Sequence, residues 1–438
     1  MAGDVIAPHD PEYDEARTVF IPVDRRPAAI VRPLTATDVA VAVDYARTSG
    51  LELAVRSGGH SPAGHGTSEG GIVIDLARMK ALELDVDARS ALAQTGLTAG
   101  EVTAAAATHR LAVPFGDSPV VGIGGLTLGG GVGYLVRKHG LTVDSLLEAE
   151  LVTADGGLLT IDAERHPDLF WAIRGGGGNF GVAVRFRYRM HPVESATGGL
   201  IILPATPETL AEFAAIAAAA PDELSTIANV LPAPPLPFLP SEHHGRLVVM
   251  AMVLHAGSLD EGSRALAPVR ALDPIVDLVR PLAYEEMFPA ENRPAPLAAT
   301  RTMFLDTIDT AVAGELLDRL RASTAQMTAL QLRVLGGALA RIPSGATAFA
   351  HRTRGAIANV AAIYATPDEA GVHEDWATDT VAALKQGDDG VYVNFLGDEG
   401  ADRVRAAYPG DTWDRLVGVK RRYDPGNLFH LNQNVRAA

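Results

Sequence analysis

The chain has 438 residues, 47% of them hydrophobic, which is enough to fill two or three packed domains. It contains no cysteine, which excludes disulfides, thiolate metal sites, iron–sulfur ligation and a cysteine nucleophile. A net charge of −16 argues against a nucleic-acid partner, there is no apolar run of about 18 residues to cross a membrane, and the acidic opening MAGDVIAPHDPEYDEAR lacks an export pattern, so a cytoplasmic chain is expected.

Residues 38–48, following Pro33, Leu34 and Thr35, read as an amphipathic helix, and 51–55 as a strand. That strand runs into VRSGGH at 55–60. Gly58 and Gly59 leave the backbone unshielded, so its N–H groups can approach a phosphate, and Arg56 adds positive charge. His60 stands at the lip of the turn. Taken alone, such a turn is more often a surface loop with a solvated histidine. Residues 71–75 form another strand, and 81–86 and 90–94 pair around a turn. Residues 97–109 read as a helix, with Thr98 as N-cap and Glu101 completing a capping box.

Residues 122–133, GIGGLTLGGGVG, hold seven glycines in twelve positions. Glycine weakens a core element, yet Ile123, Leu126, Leu128 and Val132 make this a buried loop, so contact with a phosphate or a flat ring is the favoured reason. Residues 149–154 and 158–161 form a hairpin around Asp155-Gly156-Gly157. Residues 167–173 are a short helix and 182–190 a strand with one wet face. Between them, Gly176, Gly178 and Gly181 make a formal G-x-G-x-x-G. The Rossmann fingerprint needs strand, turn, then helix, and here the order is reversed, so that reading is rejected. A P-loop motif is absent, and His60 and His65 lack H-E-x-x-H spacing.

Composition shifts near Pro192. An alanine-rich helix at 206–221, a proline-rich loop at 232–240, and strands at 246–254, 331–335 and 357–364 suggest a second, α+β domain. The tail, 413–435, is a helix and then a loop. The expected organisation is 1–195, 196–410, and 411–438 returning to the first domain.

Five segments in order carry a resemblance: RSGGHSPAGHGTSEGGIVIDLARM at 56–79, GDSPVVGIGGLTLGGGVGYLVRKHGLTVDSLLEAELVTADG at 116–156, HPDLFWAIRGGGGNFGVAV at 166–184, YVNFLGDE at 392–399 and RRYDPGNLFHLNQNV at 421–435. Together they resemble the berberine-bridge-enzyme-like branch of the vanillyl-alcohol-oxidase/PCMH superfamily of FAD-linked oxidases. Bacterial 6-hydroxynicotine-oxidase-like members are similar in size and in having one attachment residue.

The resemblance implies an α+β fold, with a two-subdomain PCMH-type FAD-binding domain and a substrate domain built on an antiparallel sheet. It implies that Arg56, Ser57, Gly58, Gly59, His60 and Ser61 wrap the FAD pyrophosphate. His60 falls on the histidine that carries the flavin 8α-carbon, and a neutral imidazole nitrogen is a competent nucleophile for that bond. Some members add a cysteinyl link in a G-x-C-P segment; here that segment is Gly116-Asp117-Ser118-Pro119, so Ser118 leaves a single histidyl link. Gly122, Gly124, Gly125, Gly131 and Gly133 line the cofactor, Val182 lies near the adenine, Tyr392 and Asn394 flank the isoalloxazine, and Asn432 and Asn434 bring the tail back.

Two positions depart from the pattern. An active-site glutamate of plant members aligns with Asn359, and a tyrosine base aligns with Phe395. Tyr392 then remains as proton acceptor or orienting hydroxyl, with Asn359 beside it, while Gln331, Arg333 and His351 read as supporting groups. The expected activity is an FAD-dependent oxidase that takes hydride from an amine, alkaloid-like or polyketide-like substrate, with O2 as acceptor and H2O2 as product. A sugar or secondary-alcohol oxidase is the alternative, and a flavin-bearing protein without turnover is a reading of another class.

Overall fold

Thr35 opens the first long helix: Asp38 N–H donates to Thr35 Oγ1 and Thr35 N–H donates to Asp38 Oδ2. In this computed structural model, which describes residues 1–288 and 296–436, the helix runs Ala36–Ser49 and ends on Gly50 in the left-handed region. It packs on a four-stranded sheet in the order Asp4–Ile6, Ala29–Arg32, Ile72–Asp75, Leu53–Arg56, with the last three strands parallel. The expected capping box at Thr98 and Glu101 is present and starts the helix Ala99–Ala107.

A second sheet of five antiparallel strands orders as Leu82–Asp85, Ser90–Gln94, Val182–Arg189, Leu146–Val152, Leu158–Asp162. It contains the hairpin expected around Gly156. The glycine cluster at 175–181 lies between the helix Pro167–Ala172 and the strand Val182–Arg189. This is the reverse of the Rossmann order, as the sequence indicated.

The third sheet has eight antiparallel strands; its six long ones order as Ala196–Pro204, Leu247–His255, Leu224–Pro232, Met327–Val334, Ala356–Ile363, Ala298–Leu305. Alternation gives it two unlike faces. Ala228, Val230, Leu330, Leu332, Ala358 and Val360 pack against Phe213, Leu316, Leu317 and Ala377 of three covering helices. The register pairs Asn229 with Gln331 and Gln331 with Asn359, which puts these amides together on the opposite face. Three of these strands, Ala196–Pro204, Leu224–Pro232 and Ala298–Leu305, and the helices Leu259–Arg270, Thr310–Ala322 and Ala370–Leu384 were not individually anticipated. The glycine pair at 198–199 dilutes the strand signal in the first.

Buried cations join the large sheet to the earlier part of the chain. Arg352 forks onto Asp144 at 2.7 and 2.8 Å. Arg333 forks onto Asp117 with both contacts at 2.9 Å. Arg137 Nη2 donates to Ala220 O at 2.7 Å and Nη1 to Leu335 O. The terminal helix Asp411–Tyr423 brings Lys420 to a fully buried node: its Nζ donates to Asn179 O, Phe429 O and Asp424 Oδ2. Asn179 in turn accepts from Val435 N–H and donates to Gln433 O. The tail is thereby fixed on the second glycine cluster.

Candidate cofactor cavity and active site

The two glycine loops meet backbone to backbone. A Cβ on Gly58 would stand 2.3 Å from Gly122 N, and one on Gly122 would stand 2.2 Å from both Gly58 N and Ser57 Oγ. No side chain fits at either position. Ser57 locks the junction, donating to Thr95 O at 2.5 Å and accepting from Gly124 N–H at 3.1 Å. At Gly125 and Gly178 a Cβ would meet nothing within 4 Å, and both glycines face a cavity. Their bare backbone is a surface that a ligand can approach closely.

That cavity measures about 580 Å3, within the usual range for cofactor and small-ligand sites. Its wall takes Arg56, Ser57, Gly58, Gly59, His60, Ser61, Ser118, Gly122, Gly124, Gly125, Gly131, Tyr392, Asn394 and Asn432 from the expected set. Four expected residues stand off the wall. Val182 points into the core with Val39, Leu53 and Val184, because strand alternation gives the wall to its neighbours Gly181 and Ala183. Gly133 serves packing: a Cβ there would stand 2.0 Å from Phe115 O. Asn434 is replaced on the wall by Leu431 and Gln433. Asn359 lies behind Gln331, its Oδ1 buried and without a partner among the described residues. Gln331 and Arg333, read from sequence as supporting groups, are themselves on the wall. His351 is not; it is buried against Phe304, with Nε2 3.1 Å from Ala407 O.

Arg56 also differs from expectation. Its guanidinium is engaged within the protein: it pairs with Asp75 at 2.9 Å and donates to Ala16 O and Thr18 O. Sequence reasoning missed Phe20, whose ring stacks on His60 with centroids 4.3 Å apart and planes 21° apart. Only a fold that returns residues 16–20 over the 55–60 turn could reveal it. Burial lowers the pKa of His60, which keeps a ring nitrogen free of its proton. His65, also on the wall, is pushed down by burial to about 4, and its Nδ1 has no partner among the described residues.

Tyr392 is the polar centre of the opposite wall, only 2% exposed. Its hydroxyl oxygen accepts from Gly131 N–H at 2.8 Å and from Asn394 Nδ2 at 2.9 Å. The amide orientation of Asn394 is fixed, since the same nitrogen also donates to Leu126 O at 3.0 Å and a carbonyl can only accept. Both lone pairs of the Tyr392 oxygen are therefore used, and its O–H is left to donate into the cavity. Burial pushes its pKa up to about 12, so the group is a donor at neutral pH and a poor base. Phe395 packs edge-on against Tyr392 and lies under the Arg333 guanidinium. Asp117 is the one carboxylate among the described wall residues, and Arg333 holds it. Gln331 donates to Asn229 Oδ1 at 3.0 Å and accepts from Arg333, which extends this polar row along the sheet.

The cavity suits a flavin dinucleotide: two glycine loops packed backbone to backbone, open backbone at Gly125 and Gly178, and unpartnered polar atoms at His65 Nδ1 and Asn432 Oδ1 in its wall. Comparison with known proteins points the same way. Residues 27–162 match the FAD binding domain family, and residues 391–436 match the family described as berberine and berberine like. (R)-6-hydroxynicotine oxidase of Paenarthrobacter nicotinovorans is 31% identical over 99% of this chain and 97% of its own length. Xylooligosaccharide oxidase of Thermothelomyces thermophilus is 30% identical over 94% of this chain and 88% of its own. The crystal structure of 6-hydroxy-D-nicotine oxidase from Arthrobacter nicotinovorans superposes with a TM-score of 0.87 at 29% identity, covering 100% of this chain and 98% of that one.

Proposed function

We propose a function from one premise: this chain belongs to the berberine-bridge-enzyme-like family of FAD-linked oxidoreductases. Within that family we read it as an oxidase of an amine-bearing, alkaloid-like or polyketide-like metabolite that carries its FAD on His60 alone. Bound FAD supplies the acceptor for the two electrons and the hydrogen of a substrate C–H bond, and O2 takes them on as H2O2.

The protein's share is binding, orientation and proton placement. Ser57, Gly58, Gly122 and Gly125 would hold the pyrophosphate side through backbone N–H groups. His60, kept unprotonated by burial, would hold the ring end. Ser118 stands where a second link would need a sulfur. Gln331 and Arg333 would face substrate from the large sheet, and Tyr392 would donate its O–H to an acceptor atom in the cavity.

The observation that carries the substrate reading is the absence of a free base among the described wall residues: Asp117 is paired, His65 is a weak base and Tyr392 holds its proton. Oxidation beside a neutral amine nitrogen needs no such base, whereas an alcohol gains from losing its hydroxyl proton. One observation favours the sugar or secondary-alcohol reading: the row Asn229, Gln331 and Arg333 offers donors and acceptors suited to hydroxyl groups. The test is H2O2 release, coupled to O2 uptake, across a panel of amines, phenolic polyketides, oligosaccharides and secondary alcohols. Turnover confined to oligosaccharides or alcohols would replace the amine reading with the second. Acid-precipitated protein should retain yellow colour and band fluorescence, and His60→Ala should release all its FAD into the supernatant.

A further inference from the structure

We propose that Phe20 is a positioning residue for His60: its ring covers one face of the imidazole and presents a nitrogen-bearing edge to the cavity, so that it sets how fast the cofactor becomes attached. The inference rests on the reading of His60 as the attachment point. Both rings lie on the cavity wall, stacked at 4.3 Å. His60 rises from a Gly-Gly turn, where Gly59 sits at φ +70 and offers no side chain to brace it. Phe20 remains 39% exposed, so its ring caps the imidazole rather than joining a core.

The segment that carries Phe20 is held with unusual care. Phe20 N–H donates to Gly59 O at 3.0 Å, and Val19 packs on the same turn. Arg56 directs its guanidinium at Ala16 O and Thr18 O, with Asp75 balancing the charge. The turn's own arginine thus anchors the strap that stacks on the turn's own histidine. In the attachment step a bond forms between an imidazole nitrogen and the flavin 8α-carbon, and one 8α C–H bond breaks. The imidazole N–H would break as well; the two protons released would leave to solvent, and the C–H electron pair would pass through the flavin to O2, which with two protons would become H2O2. A ring pinned on one face has fewer orientations to search before that bond can form.

The experiment follows attachment in purified apoprotein mixed with FAD under air. Acid-quenched samples taken over time are scored for flavin fluorescence in the denatured band. Phe20→Ala is expected to attach about 3- to 10-fold more slowly than wild type, the size of one lost aromatic stack. Phe20→Tyr, which keeps the ring, is expected to restore the rate. Non-covalent FAD affinity, measured in a His60→Ala background, is expected to fall by a smaller factor on adding Phe20→Ala than the attachment rate does. Wild-type rates in Phe20→Ala, failure of Phe20→Tyr to rescue, or an equal loss of non-covalent affinity would each overturn the proposal. If wild type itself releases all its FAD on acid treatment, the covalent reading has failed and the proposal falls with it.

Discussion

Replacing Tyr392 by Phe separates two roles for its hydroxyl. Burial raises its pKa to about 12, so the phenolate fraction at pH 7 is on the order of 10⁻⁵. If that phenolate were the working base, kcat/KM would climb about tenfold per pH unit from 7 to 10, and the climb would disappear in the variant. As a donor with both lone pairs occupied by Gly131 N–H and Asn394 Nδ2, it contributes without titrating in that range. Tyr392→Phe should then keep the wild-type profile and lose about tenfold in kcat/KM, roughly the value of one hydrogen bond to a polar partner. The substitution also leaves two buried donors without an acceptor, each costing about 1–3 kcal/mol of stability, so urea unfolding should shift to lower concentration. The assay is kcat/KM for the best panel substrate between pH 6 and about pH 10, on both proteins. A steep alkaline rise present in wild type and absent in Tyr392→Phe would refute the donor assignment.

Acid should weaken the fold in a defined window. Burial lowers His65 and His351 to about 4, His139 to about 3 and His191 to about 4. The folded state keeps them neutral while the unfolded chain takes up protons, so stability is full above about pH 6.5 and drains away as pH falls towards 4; an unchanged urea midpoint between pH 7 and about pH 5 would contradict this. Lys420→Met strands the fully buried Asp424 carboxylate and should cost about 3–5 kcal/mol in unfolding free energy. Adding Asp424→Asn should recover part of that, and no recovery would deny the charge argument. Gly58→Ala should lower the melting temperature and the flavin-to-protein absorbance ratio together, because its Cβ meets Gly122 N at 2.3 Å. Gly125→Ala should lower only the ratio, since its Cβ meets no protein atom within 4 Å.

Much of the site was legible where one residue type has one physical use. The 122–133 cluster was readable as a candidate ligand cradle because seven glycines in an apolar loop favour close approach of a ligand, whereas the 55–60 turn gained that reading only from the other motifs. Thr98 with Glu101 declared a helix start, and the order of elements around Gly176–Gly181 excluded the dinucleotide fingerprint. Side-chain direction was harder to read. Val182 falls off the wall by one step of strand alternation, and Asn434 lies just past the stretch of irregular tail, Leu431 to Gln433, that lines it. Arg56 was expected to add positive charge beside the turn, whereas Asp75 and the carbonyls of Ala16 and Thr18 engage its guanidinium. Gln331 and Arg333 were undervalued and Asn359 overvalued because which amide reaches the cavity depends on the register of three strands. Phe20 carried no local signal at all.

The guanidinium forks that cross between the large sheet and the rest of the chain bear on how such enzymes can be recombined. A chimera whose donated sheet lacks an arginine at position 352 or 333 would leave Asp144 or Asp117 of this chain without its partner. A mismatch at the Asp144–Arg352 pair leaves a buried charge unpaired, a larger penalty than most surface incompatibilities. New substrate ranges are therefore more accessible by changing Gln331, Phe395 and their neighbours in place than by exchanging whole halves. Any crossover point that succeeds should keep each acid with its own arginine.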